Sequence, residues 1–197
     1  TIEKIAKTPY KSDPVVLETI EGIAKNDLDN KTKAAAIKYL AATKDAKYLT
    51  IYQKNVSDSS YSVSGASLEG LMSLDSANAY SLAKKYATDA KGDLGKTVNN
   101  ILISQGTESD FDFIAKSYKN AAPSFDKMAM STQFASYLGR LNNVAKIKEG
   151  IDYIMEFRNL IPSAYRSQTD PMFKTALDKL STSKGKEIED YINSVFK

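Results

Sequence analysis

The 197-residue chain has no cysteine, no histidine and no tryptophan, and only 9 glycines and 5 prolines. Without cysteine there is neither a disulfide framework nor thiolate chemistry. The redox compartment stays open, because a well-packed helical protein needs no cross-link in either surroundings. Without histidine the usual general base and most zinc sites disappear, so any catalyst here would use carboxylates, lysine, tyrosine or serine. No apolar run approaches the roughly 20 residues that cross a bilayer, and the N-terminus lacks the basic start, apolar middle and small-residue cleavage site of an export signal. The first residue is Thr1, not an initiator methionine, which implies a processed protein or a segment of a longer one. Charge of one sign is also scarce. The 27 basic and 24 acidic residues leave +3 and are interleaved throughout, so no nucleic-acid partner and no membrane insertion are expected.

What the chain does have is helix-forming composition and a repeat. From Leu40 to Tyr118 one pattern recurs three times at a spacing near 31 residues: Leu40…Tyr48-Leu49, Leu71…Tyr80-Ser81-Leu82, Leu102…Phe111-Asp112-Phe113. That period is the length class of a two-helix repeat. No alternating run long enough for a strand appears and no linker divides the chain. The expected fold is all-α: an α-solenoid of stacked antiparallel helix pairs, about 10–12 helices, as one repeat domain over residues 1–197.

Capping signals place the helices. Asp13-Pro14 opens Val15 to Lys25, and Asn30 caps Lys31 to Ala42. Asp45 starts a third helix, and Ser59 or Ser60 a fourth in which Gly65 and Gly70 permit close helix contact. Asp75 or Ser76 caps Ala77 to Ala87, and Gly92 or Asp93 precedes a helix to about Ser104. Thr107 with Asp110 resembles a capping box for Glu108 to Lys119. Pro123 opens an eighth helix, and Asn142 or Asn143 caps Val144 to Phe157. From Arg158 to Phe173 the two prolines and the polar run Tyr165-Arg166-Ser167-Gln168 predict a short helix or ordered loop. Helices resume from about Pro171 to Leu180 and from Lys186 to Phe196.

Motifs that could carry chemistry have simpler explanations. Gly95-Lys96-Thr97 ends like a phosphate loop, but Ala90 stands where the first glycine belongs and the preceding residues are helical. Ser81-x-x-Lys84 and Ser181-x-x-Lys184 match S-x-x-K without the companion motifs of that enzyme class. Glu108, Asp110 and Asp112, like Glu187, Glu189 and Asp190, are carboxylates near helix starts, where the macrodipole favours them. Many of the 12 tyrosines fall on helix faces, which predicts core or groove packing with the hydroxyl at the rim. Asn30-Lys31-Thr32 and Asn55-Val56-Ser57 are glycosylation sequons by pattern alone. The best interaction candidates are Arg158, Tyr165, Arg166 and Gln168, in the proline-bounded polar stretch; for Arg166 the competing reading is that it satisfies helix-end carbonyls.

Tyr61 to Ala87 (YSVSGASLEGLMSLDSANAYSLAKKYA) and Tyr153 to Leu180 (YIMEFRNLIPSAYRSQTDPMFKTALDKL) resemble the C-terminal helical-repeat region of M1-family zinc aminopeptidases, especially the Bacteroidetes type. With the helices between them the resemblance covers about two-thirds of the chain, through helix-packing signatures. It implies a HEAT-like array at the C-terminal end of a larger protein, packed on a thermolysin-like domain that holds zinc. The array would limit access to the active site and touch the far end of peptide substrates. The chain departs from the catalytic pattern: it has no H-E-x-x-H and no G-x-M-E-N segment, so no catalytic, cofactor or metal residue carries over. The zinc would belong to the parent's catalytic domain. Members of this type are often exported, which points the parent protein to the periplasm or cell envelope. The alternative is an independent helical-repeat scaffold that binds a protein or peptide.

Overall fold

The computed structural model describes residues 2–196; Thr1 and Lys197, the end residues of the expected repeat domain, lie outside the described residues. Among the described residues there are twelve α-helices and no strand, and the helices pack on one another, so the fold is the expected all-α helical-repeat class. None of these helices is long and apolar enough to cross a membrane.

Three helices carry the repeat. α3 (Asn30–Thr43), α5 (Tyr61–Leu74) and α7 (Gly92–Gln105) each run 14 residues and begin 31 residues apart. Leu40, Leu71 and Leu102 occupy the same place in each, and all three are buried. A shorter helix follows each one: α4 (Leu49–Asn55), α6 (Ser76–Tyr86) and α8 (Phe111–Asn120). α4 and α8 are introduced by 3₁₀ turns at Ala46–Tyr48 and Glu108–Asp110, so the helix expected from Glu108 opens in the tighter form.

The caps act as their chemistry dictates. Asp13 accepts from the Val15 and Val16 amides at 2.9 and 3.3 Å to open α2 (Pro14–Asn26). Asp45 and Asp75 cap the Ala46 turn and α6. Asn143 accepts from Lys146 at 3.1 Å to open α10 (Val144–Leu160). Asp110 accepts both the Thr107 amide and its hydroxyl, at 2.8 and 3.0 Å. Two expectations shift. Asp29, not Asn30, caps α3, by accepting from Thr32 at 2.8 Å. Ser124 caps α9 (Phe125–Leu138), which therefore starts two residues beyond Pro123.

The chain divides into two compact units, Thr1–Leu102 and Ile103–Lys197. In the first, α5 is the central helix, packed against α3, α4 and α6, while α2 and the short α1 (Ile2–Ile5) lie on α3. Eight of the 14 residues of α5 are buried, and its serines survive burial by bonding to carbonyls: Ser64 to Val56 at 2.5 Å and Ser67 to Val63 at 2.8 Å. The glycines do allow close approach, since a Cβ on Gly70 would lie 2.7 Å from the Tyr52 ring.

In the second unit, α8 packs on α9 and α10, while α11 (Ser163–Lys184) packs on α9, α10 and α12 (Lys186–Val195). Its core is aromatic, with Tyr118 stacked on Phe134 at 4.4 Å and Phe157 set edge-on to Phe173 at 5.9 Å. The segment 158–173 differs from the expected short helix or ordered loop. α10 continues to Leu160, two residues turn the chain, and α11 then runs 22 residues with Pro171 inside it. Pro171 is tolerated because the carbonyl it leaves without an amide, that of Ser167, belongs to an exposed residue open to water.

Candidate functional site

The second unit carries an apolar hollow of about 360 Å³ where three helix ends converge. Pro123, Phe125 and Met128 come from the start of α9, Phe157, Leu160 and Ile161 from the end of α10, and Tyr165, Gln168 and Thr169 from the first turns of α11. Each wall follows from local sequence. Ser124 accepts the Lys127 amide at 3.2 Å, which starts α9 and leaves Phe125 at its first position, where no preceding turn covers it. Ile161-Pro162 ends α10 and launches α11, so the apolar end of one helix and the start of the next meet at a tight corner. Phe125, Leu160 and Tyr165 remain 87%, 66% and 58% exposed around the hollow.

The four residues singled out in the sequence separate into two pairs. Arg158 and Arg166 hold the corner together. Arg158, 6% exposed, clasps Asp170 with two bonds, Nε to Oδ1 at 2.9 Å and Nη2 to Oδ2 at 2.7 Å, and its guanidinium lies 4.8 Å from the Phe196 ring. This clasp holds the Asp170 carboxyl below its ordinary value and raises Arg158 above its own. Arg166 donates from Nε to the Ile161 carbonyl and from Nη2 to that of Asn159, both at 3.0 Å, which is the helix-end role. Tyr165 and Gln168 line the hollow, and neither the hydroxyl nor the amide has a hydrogen-bond partner among the described residues.

Lys127 was not anticipated. Its ammonium is buried between the Tyr118 and Phe157 rings at 5.2 and 5.1 Å and donates to the Ala121 and Lys119 carbonyls at 2.8 and 3.1 Å. Burial lowers its pKa. It closes the C-terminal end of α8 and stands behind Phe157, which lines the hollow.

Comparison with protein-family models, with curated proteins and with solved structures found no match. The site is therefore read from its own chemistry.

The motifs set aside in the sequence are structural where the contacts are seen. Gly95-Lys96-Thr97 lies inside α7, not in a loop. Ser181 donates to the Asp178 carbonyl and Lys184 to that of Leu141, so this pair does not form a nucleophile and base. Glu108 accepts the Asn142 and Asn143 amides at 2.8 and 3.1 Å, which lowers its pKa and caps the approach to α10. Asn55 is buried and bonds to the Ile51 carbonyl at 2.8 Å, so that sequon is closed to a glycan. No group of three or more metal-ligating side chains occurs among the described residues. What the hollow can do is receive an apolar side chain, with Tyr165 and Gln168 at its mouth to bond a polar main chain.

Proposed function

We propose that the chain is a non-catalytic helical-repeat module that docks a partner in the apolar hollow of its second unit. We further propose that the partner is the catalytic domain of an M1-type zinc aminopeptidase in the same polypeptide, whose access for peptides the module shapes. One observation carries the docking. Phe125, Leu160 and Tyr165, three of the most exposed large apolar side chains, are not scattered but ring a single hollow. The aminopeptidase half rests on the resemblance of Tyr61 to Ala87 and Tyr153 to Leu180. In such a parent an H-E-x-x-H segment outside this chain would hold the zinc, since the chain has no histidine.

A second reading, an independent scaffold for a protein or peptide, is favoured by Tyr165 and Gln168, whose unpaired polar groups suit a peptide main chain. The parent open reading frame separates the two. A metalloprotease segment upstream supports the first, and a parent without one leaves the scaffold. Isolated residues 1–197 incubated with zinc and aminoacyl fluorogenic substrates should show no turnover; robust turnover would overturn the non-catalytic reading. Replacing both Phe125 and Leu160 by Asp in the full-length protein should weaken attachment of the module, read as faster cleavage by limited proteolysis at its junction. Unchanged proteolysis would remove the hollow from the docking role.

A further inference from the structure

We propose that residues 163–170, the first two turns of α11, form a latched flap that opens by local unfolding and gates the hollow. This deepens the docking proposal and rests on it for the ligand, an apolar side chain of a protein partner.

Sequence and structure disagree over this segment in a specific way. Ser163, Ser167, Thr169 and Asp170 are weak helix formers, and Pro171 removes the amide that would bond back to Ser167. Ala164, Arg166 and Gln168 favour helix, so local preference is mixed and weak, and the helix that forms depends on support from outside the segment. Burial does not explain it: the buried residues of α11 begin at Phe173, and none lies in 163–170. The flap is held by polar bonds instead. Arg158 on the well-packed α10 grips Asp170 at the inner end of the flap, and Arg166 ties its middle to the Ile161 and Asn159 carbonyls. A helical segment with little apolar burial sits at the low end of a protein's local stability, and a segment held by an ion pair and a few hydrogen bonds has a defined release.

The hollow inherits this asymmetry. Met128, Phe157 and Leu160 stand on α9 and α10, whereas Tyr165, Gln168 and Thr169 belong to the flap. Opening widens the hollow on one side only, and a partner too large for the closed hollow shifts the flap toward its open state by binding that state better.

Hydrogen exchange on the full chain tests the flap without any partner. Amides of 167–170 should exchange at least about tenfold faster than those of 176–184 in the same helix. Asp170→Asn, which keeps the shape and removes the charge, should speed the first group by about a further tenfold and leave the second unchanged. Pro171→Ala, which restores the amide, should slow it. Fluorescence of the apolar dye anilinonaphthalene sulfonate should rise in Asp170→Asn and fall back when Leu160→Asp is added. Equal protection of the two groups, or equal acceleration of both by Asp170→Asn, would overturn the flap. Faster exchange of 167–170 with unchanged dye fluorescence would overturn the gating and leave docking standing.

Discussion

Two tyrosines show how one hydroxyl can matter and another not. Tyr118 bonds to Ser131 at 2.7 Å, and because the Ser131 hydroxyl donates to the Lys127 carbonyl at 2.8 Å, Tyr118 is the donor in that chain. Tyr52 is equally buried and its hydroxyl has no hydrogen-bond partner among the described residues. Removing a bonded hydroxyl costs about 1 kcal/mol, whereas removing an unpaired one leaves stability unchanged or improves it. Urea denaturation should therefore show Tyr118→Phe destabilised by about 1 kcal/mol and Tyr52→Phe neutral or up to about 1 kcal/mol more stable. Equal losses would mean that the Tyr52 hydroxyl has a partner after all. Asp170 gives a second prediction. Its folded pKa is depressed by Arg158, so its contribution is present above the ordinary carboxylate value of 3.8 and is lost as pH falls through the lower folded value. Once the exchange rates are corrected for intrinsic pH dependence, wild type and Asp170→Asn should converge at the acid end.

Helices in this chain use glycine in opposite ways. In α5, an added methyl at Gly70 would strike the Tyr52 ring, and the ring is too well packed to move. In α2, a Cβ at Gly22 would meet nothing within 4 Å among the described residues. Alanine gains about 1 kcal/mol over glycine in a helix interior, so Gly22→Ala should stabilise by roughly 0.5–1 kcal/mol. Gly70→Ala should instead lose about 1–3 kcal/mol, as overpacking outweighs propensity. Thermal denaturation of the two variants should shift in opposite directions. The same contrast explains α11. Its outer half is held by Arg158 and Arg166, its inner half by Phe173, Leu177 and Leu180 in the core.

Across the molecule, the missing histidines and cysteines remove the side chains that normally titrate near neutrality, and the pH response moves to the acid and alkaline ends. Glu149 and Asp152 accept from Tyr153 and Tyr191 and push both up to about 12. Burial raises Tyr52 and Tyr118. In the unfolded chain these phenols release their protons near 10 while the folded chain retains them, so their contribution is intact below 10 and is lost as pH rises toward 12. The melting temperature should stay nearly flat between about pH 6 and 9 and fall above about pH 10. Near-ultraviolet titration should show some of the 12 tyrosines ionising only as the chain unfolds. A steep change in melting temperature near pH 7 would contradict this.

The helix pairs, their 31-residue register and most caps could be read directly, because they depend on short-range rules. Asp13, Asp45, Asp75 and Asn143 bond to amides two or three residues away, and the leucine period repeats along one chain. The hollow could not be read in this way. Phe125 looks like any apolar helix residue until its neighbours prove absent, and Lys127 looks like a surface lysine until two rings close over it. Arg158 and Asp170 are separated by a stretch whose prolines predict a short helix or ordered loop, so their pairing becomes visible only with α11 built through Pro171. Helix formation is local physics; which helix ends meet, and what they leave uncovered, follows from packing between residues far apart in the chain.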